Sequence, residues 1–153
     1  MSDPDVVAAD LEYSRVFDAP RELVFDCLIT PEHLVHFWAP RGSSAPVAHM
    51  RVDPRPGGVF ETVIVSDSDG SVYETHSVFL EIDRPERLVW QEGHTGMTVF
   101  VTLTALSQGK TRLDLRQTNV PAVVRLPRNR AGFKTTLDKF AAYLLNLSKE
   151  EQL

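Results

Sequence analysis

The stretch FKTTLDKFAAYLL, residues 133–145, decides the architecture. Phe133, Leu137, Phe140, Ala141, Leu144 and Leu145 recur at the spacing of one wide helical face, while Lys134, Asp138, Lys139 and Asn146 fall mainly elsewhere. Pro127 and Gly132 bracket the start, and Asn129 suits a cap, so the helix is expected to begin between 127 and 131. A rod with so broad an apolar stripe must bury it, and the residues before it have to supply the opposing layer.

Those residues read as strand, turn, strand from about 46 to 117. Ala48, Met50 and Val52 alternate with His49 and Arg51, which predicts a short strand with His49 outward. Asp53-Pro54-Arg55-Pro56-Gly57-Gly58 defeats any regular ladder and predicts a turn. Residues 59–65, 72–82, 88–92, 97–105 and 111–117 are rich in β-branched and aromatic residues, and Asp67-Ser68-Asp69-Gly70 is a hairpin signal. Connections this short favour antiparallel neighbours.

Ahead of them, residues 12–18 alternate as a strand. Pro20, with Asp18 upstream, then opens a helix carrying Leu23, Val24, Cys27 and Leu28 on one face. Thr30-Pro31 stops it and starts a second short helix, roughly 31–37. The expected fold is α+β: a curved antiparallel sheet of six to seven strands around a long C-terminal helix, with two short helices after the first strand. Residues 1–10 read as a frayed leader, 11–148 as one domain and 149–153 as a frayed end.

The chain has 153 residues, with 16 Lys+Arg against 21 Asp+Glu, a net charge of −5. That length suits one core. The acidic balance argues against nucleic acid as a partner, which would require a basic face. The longest apolar run, residues 140–145, is far too short for a membrane span, and residues 1–10 lack the features of a secretory signal. One cysteine, Cys27, excludes an internal disulfide framework and fits a reducing cytoplasm. Dinucleotide fingerprint, phosphate loop, nucleophile elbow and Cys-x-x-Cys pair are all missing from the sequence. No cofactor or metal is therefore expected. Monomer and homodimer are left equally open.

A sheet gripping one helix often encloses a hollow, and hollows of this kind bind small molecules. Phe37, Trp38, Phe60, Trp90, Phe133 and Phe140 could wall it or pack on each other, with Val99 and Leu137 among the apolar lining. Thr62, His76 and Gln117 are candidate orienting groups, and Asn119 a further polar handle. His76 is in phase with Val78, Leu80 and Ile82, but the opposite phase of Tyr73, Thr75, Ser77 and Phe79 is also plausible for the inward face, and a histidine on the outer face of the sheet is the safer reading. Glu61, Glu74 and Glu92 read as outward polar residues. His33 and His36 share a helical face without a third zinc ligand, so they read as helix surface. Arg125, Arg128, Arg130 and Lys134 form the one basic cluster, near a helix start where an acidic ligand or partner could relieve their repulsion.

The stretch RVFDAPRELVF, residues 15–25, resembles the opening of the activator of heat-shock-protein ATPase homologue family, within the START-like (SRPBCC, Bet v allergen-like) superfamily. Thr30-Pro31-Glu32-His33-Leu34 with Phe37-Trp38-Ala39-Pro40, the turn 53–58, residues 81–89 and Gly132-Phe133 with Leu137 and Phe140 resemble further family motifs. Phe37 and Phe133 stand where the family usually has Trp, and Ala39 where it has Gly, which implies a reshaped pocket.

The resemblance implies a helix-grip fold and a cavity between sheet and C-terminal helix for a small hydrophobic or amphipathic ligand. One alternative is a cyclase- or hydrolase-like enzyme pairing His76 with a carboxylate inside that cavity. The other is a stress-related partner of a chaperone ATPase acting through residues 125–134. The family's co-chaperones carry an additional N-terminal domain, whereas ten residues precede the match here, which weakens the chaperone expectation.

Overall fold

The computed structural model describes residues 10–151; the rest of the expected leader and residues 152–153 lie outside the described residues. Strand β1 (Leu11–Phe17) leads into α1 (Arg21–Ile29) and α2 (Pro31–Leu34). Two two-residue strands follow, β2 (Ser43–Ser44) and β3 (Arg51–Val52). Then come β4 (Val59–Ser66), β5 (Val72–Asp83), β6 (Arg87–Glu92), β7 (Thr98–Ala105) and β8 (Thr111–Thr118). The chain closes with α3 (Pro127–Glu151). All pairings are antiparallel, in the order β1-β8-β7-β6-β5-β4-β2, with β3 also on β4. This curled sheet around a long helix is the helix-grip α+β fold expected from the sequence.

Three local expectations need correction. Residues 47–49 form a 3-10 turn rather than strand, because Pro46 leads directly into a tight turn in which Met50 N–H donates to the Val47 carbonyl. The second helix stops at Leu34, and its continuation to Trp38 is irregular turn. Leu145 is exposed, while Thr136 takes a buried place on the inner face of α3.

The turn 53–58 shows why its residue types matter. Gly57 has φ +83°, and a Cβ on Gly58 would meet the Asp53 carbonyl oxygen at 2.0 Å. Gly57 N–H donates to the Phe79 carbonyl, and Phe79 N–H donates to that of Gly58. The turn thereby locks onto β5 at Phe79. The β5–β6 register slips between Phe79 and Glu81, a bulge that reverses the strand's phase. Thr75, Ser77 and Phe79 face inward before it, and Ile82 packs on the core after it. This is why either phase could be read as inward in the sequence.

Buried core side chains pack directly beneath the C-terminal half of α3. Phe140 stacks on Phe37, with centroids 4.0 Å apart and planes at 4°, and its other neighbour Phe17 lies 4.8 Å away. Polar ties hold the helix from outside: Arg15 to Asp138 at 2.7 Å, Lys139 Nζ to the Ala39 carbonyl at 2.9 Å, and Arg41 N–H to Thr135 Oγ1 at 3.0 Å. His33 Nδ1 lies 2.6 Å from Tyr143 Oη, and His36 stacks on the same ring at 4.9 Å. The two histidines serve helix packing, not a bare surface.

His76 lies on the outer face of the sheet, directly across from Glu61. Its Nδ1 is 2.8 Å from Glu61 Oε2 and its Nε2 3.5 Å from Glu74 Oε2; Arg51 reaches the other Glu61 oxygen at 2.9 Å. Hydrogen bonding to Glu61, then Glu74, raises the His76 pKa, and the His76 hydrogen bond lowers that of Glu61.

Two predictions follow from this packing. Phe140→Ala should cost about 3–5 kcal/mol in urea denaturation, as for other fully buried aromatics. In an NMR titration His76 should ionise above the ordinary imidazole value, and Glu61→Gln should bring it back down. Its raised pKa means that its stabilising share is full below the unfolded imidazole pKa and fades as pH rises through the folded one. The depressed Glu61 pKa acts oppositely: its share is present above the unfolded carboxyl pKa and fades as pH falls through the folded one. The pair therefore stabilises best between those limits.

Candidate ligand cavity

The inner face of α3 is packed against the core in its C-terminal half and open around Thr136 in its N-terminal half. Phe140 and Leu144 fill the lower part. Farther up, Thr136 faces a stretch of sheet that carries Thr62, Ser77 and Val99. Short side chains on both sides leave space, because the helix is held at the height its large residues impose. The result is a cavity of about 500 Å³ between the sheet and the first turns of α3.

Trp38, Phe60 and Trp90 form one aromatic wall, with centroids 5.8, 6.1 and 5.1 Å apart. Tyr13 and Phe133, 4.7 Å apart, line it as well. Phe60 is backed by Phe79, stacked at 5.3 Å. The exposed members of the lining, Tyr73, Val123, Arg128 and Asn129, mark the mouth.

Of the residues singled out in the sequence, Trp38, Phe60, Thr62, Trp90, Val99, Gln117 and Phe133 line this cavity. Phe37, Leu137 and Phe140 do not; they belong to the packed core below, where stacking consumes their surfaces. His76 is outside altogether, since the bulge places the other phase of β5 inward. Asn119 is exposed, with φ 54°, at the end of β8. Of the basic cluster only Arg128 lines the cavity; Arg125 Nε donates to the Val120 carbonyl.

The lining also carries polar side chains, one of which, Glu92, the sequence reading placed outward. Thr75 and Thr62 share a hydrogen bond of 2.7 Å between hydroxyls. Glu92, expected outward, faces in and is 6% exposed. Its position was legible: Leu88, Trp90 and Glu92 share one phase of β6. Glu92 Oε2 accepts from the Thr95 backbone N–H at 2.9 Å and from Thr95 Oγ1 at 2.7 Å. Burial pushes its pKa up, but the Thr95 hydrogen bonds and the His94 backbone outweigh that and hold it below the usual value. Glu92 is thus a carboxylate at neutral pH. Burial, reinforced by this charge, raises the pKa of Tyr73 at the mouth.

The cavity lining carries no histidine among the described residues, so the expected pairing of His76 with a cavity carboxylate is not formed. The one His76–carboxylate arrangement, with Glu61 and Glu74, is on the opposite face of the sheet. Cys27 is fully buried away from the cavity, and burial pushes its thiol up to about 12, which leaves it unreactive. Among the described residues no group of three or more potential ligands could hold a metal ion, and no helix is long and apolar enough to cross a membrane.

The same fold occurs in proteins of similar size. A Nitrosomonas europaea protein is 28% identical, with TM-score 0.78 over 97% of this chain and 99% of its own. A Chromobacterium violaceum protein is 24% identical, with TM-score 0.79 over 88% and 96%. An AHSA1 protein of Silicibacter pomeroyi is 22% identical, with TM-score 0.74 over 90% and 98%. None of the curated proteins matches. The family model of the activator of Hsp90 ATPase homolog 1-like proteins matches residues 18–145, from the turn into α1 to the last turns of α3, and the chain belongs to that family.

Proposed function

We propose that this domain binds a small hydrophobic or amphipathic molecule in the cavity between the sheet and the N-terminal half of α3. The observation that carries the reading is the open space of about 500 Å³ behind an aromatic wall, in a domain whose other half is tightly packed. A small molecule fits such a volume, and each 100 Å² of its apolar surface removed from water would contribute about 2.5 kcal/mol. The exposed rim at Tyr73 and Val123 supplies an entrance. The buried free thiol of Cys27 fits a role in a reducing cytoplasm.

The uncharged dye N-phenyl-1-naphthylamine tests this reading. Its fluorescence should rise on binding, and Val99→Phe should weaken binding by roughly tenfold or more by placing a ring in the space the dye needs. The variant should keep the wild-type thermal transition to within a few degrees, since the ring enters open volume. Native mass spectrometry of freshly purified protein provides the second arm. A protein that neither brightens the dye nor carries a releasable small molecule would not be a binder of this class.

A further inference from the structure

Two cavity residues carry polarity that the protein leaves partly unsatisfied. Gln117 is 8% exposed, and its Oε1 is buried without a hydrogen-bond partner. Such a group has lost water and gained nothing, which ordinarily destabilises a fold. Glu92 is buried and forms no salt bridge among the described residues; the neighbouring His94, when protonated, attracts its charge without pairing with it. Both Thr95 hydrogen bonds fall on Oε2 and the His94 backbone adds a further interaction, yet a carboxylate has about four acceptor sites, so capacity is left over. The two residues sit on different parts of one floor. Ser77 pairs with Glu92 across β5–β6, and Val99 pairs with both Trp90 and Gln117 across β6–β7–β8.

Resting on the cavity reading above, we infer that the ligand is an amphiphile with an uncharged or cationic, hydrogen-bond-donating head, and that carboxylate amphiphiles are rejected. The apolar body lies against Trp38, Phe60 and Trp90. The head gives an O–H or N–H to Glu92, while the Gln117 amide pairs with a second polar atom of the ligand or its bound water. An anionic head would bring a second negative charge into a space where burial already weakens screening, a repulsion that Arg128 at the mouth and Arg130 beside Tyr13 are too exposed to offset. The electron-rich faces of the aromatic wall act in the same direction, since they attract cations and donors rather than anions.

Calorimetric titration at pH 7 with four matched probes tests this: 2-methylnaphthalene, 2-naphthalenemethanol, 2-naphthalenemethylamine and 2-naphthoate. The alcohol and the amine are expected to bind at least about tenfold tighter than the naphthoate, and tighter than the hydrocarbon. An amine preferred over the alcohol assigns a cationic head; the reverse assigns a neutral one.

Glu92→Gln keeps a carbonyl for the Thr95 donors and removes the charge, so the naphthoate should approach the alcohol in affinity. A purely structural Glu92, holding the 93–96 turn, would leave the ranking untouched. Gln117→Leu should raise Tm by about 2–4 °C and narrow the alcohol's advantage over the hydrocarbon, which keeps the proposal testable if Glu92→Gln fails to fold. Naphthoate or hydrocarbon binding as tightly as the alcohol overturns the inference and leaves the cavity reading standing, as does a wild-type ranking unchanged in both variants. If none of the four binds, the cavity reading falls and this inference with it.

Discussion

The structure depends on how Phe140 is held. Its ring is stacked on Phe37 and tilted against Phe17, so one residue of α3 joins the helix to the segment after α2 and to β1. Each such side chain contributes about 1.5–3 kcal/mol by burial, and aromatic pairing adds about 0.5–1.5 kcal/mol. That contact sets the height of the helix over the sheet. Nearer its N-terminus, Thr136 is too short to close the gap over Thr62, Ser77 and Val99, and Phe133 packs on Tyr13 at its side.

The open half carries costs that the packed half offsets. Thr62 and Thr75 satisfy each other, but the Gln117 amide oxygen has no partner and Glu92 keeps its charge in a confined space. A chain selected for stability alone would place apolar side chains at these positions. Their presence in the lining, with aromatic rings around them, is the pattern of a mostly apolar pocket with a few polar groups.

The fold was legible because its signals are periodic. The stripe on α3, the alternation in β4 and β7 and the turn chemistry at 53–58 each have one structural solution. The site was only half legible. Trp90 and Gln117 were found by strand phase, and Glu92 was findable the same way. Phe37 and Phe140 were not separable from Phe60 and Phe133, because an aromatic ring in a wall and one in a core look alike in sequence. The side of His76 stayed open for another reason: the bulge between Phe79 and Glu81 inverts the phase of β5, and nothing local in residues 72–83 announces it.

By itself, the sequence determined the order of elements, the helix that must be buried and the sheet that must bury it, since hydrophobic spacing and turn residues act over a few neighbours along the chain. Only the tertiary structure decided where that burial is complete and where it stops short. That outcome depends on which side chains meet across the sheet–helix gap, between residues as distant as Phe37 and Phe140, and on a register slip that Gly57, Gly58 and Phe79 settle together through backbone hydrogen bonds.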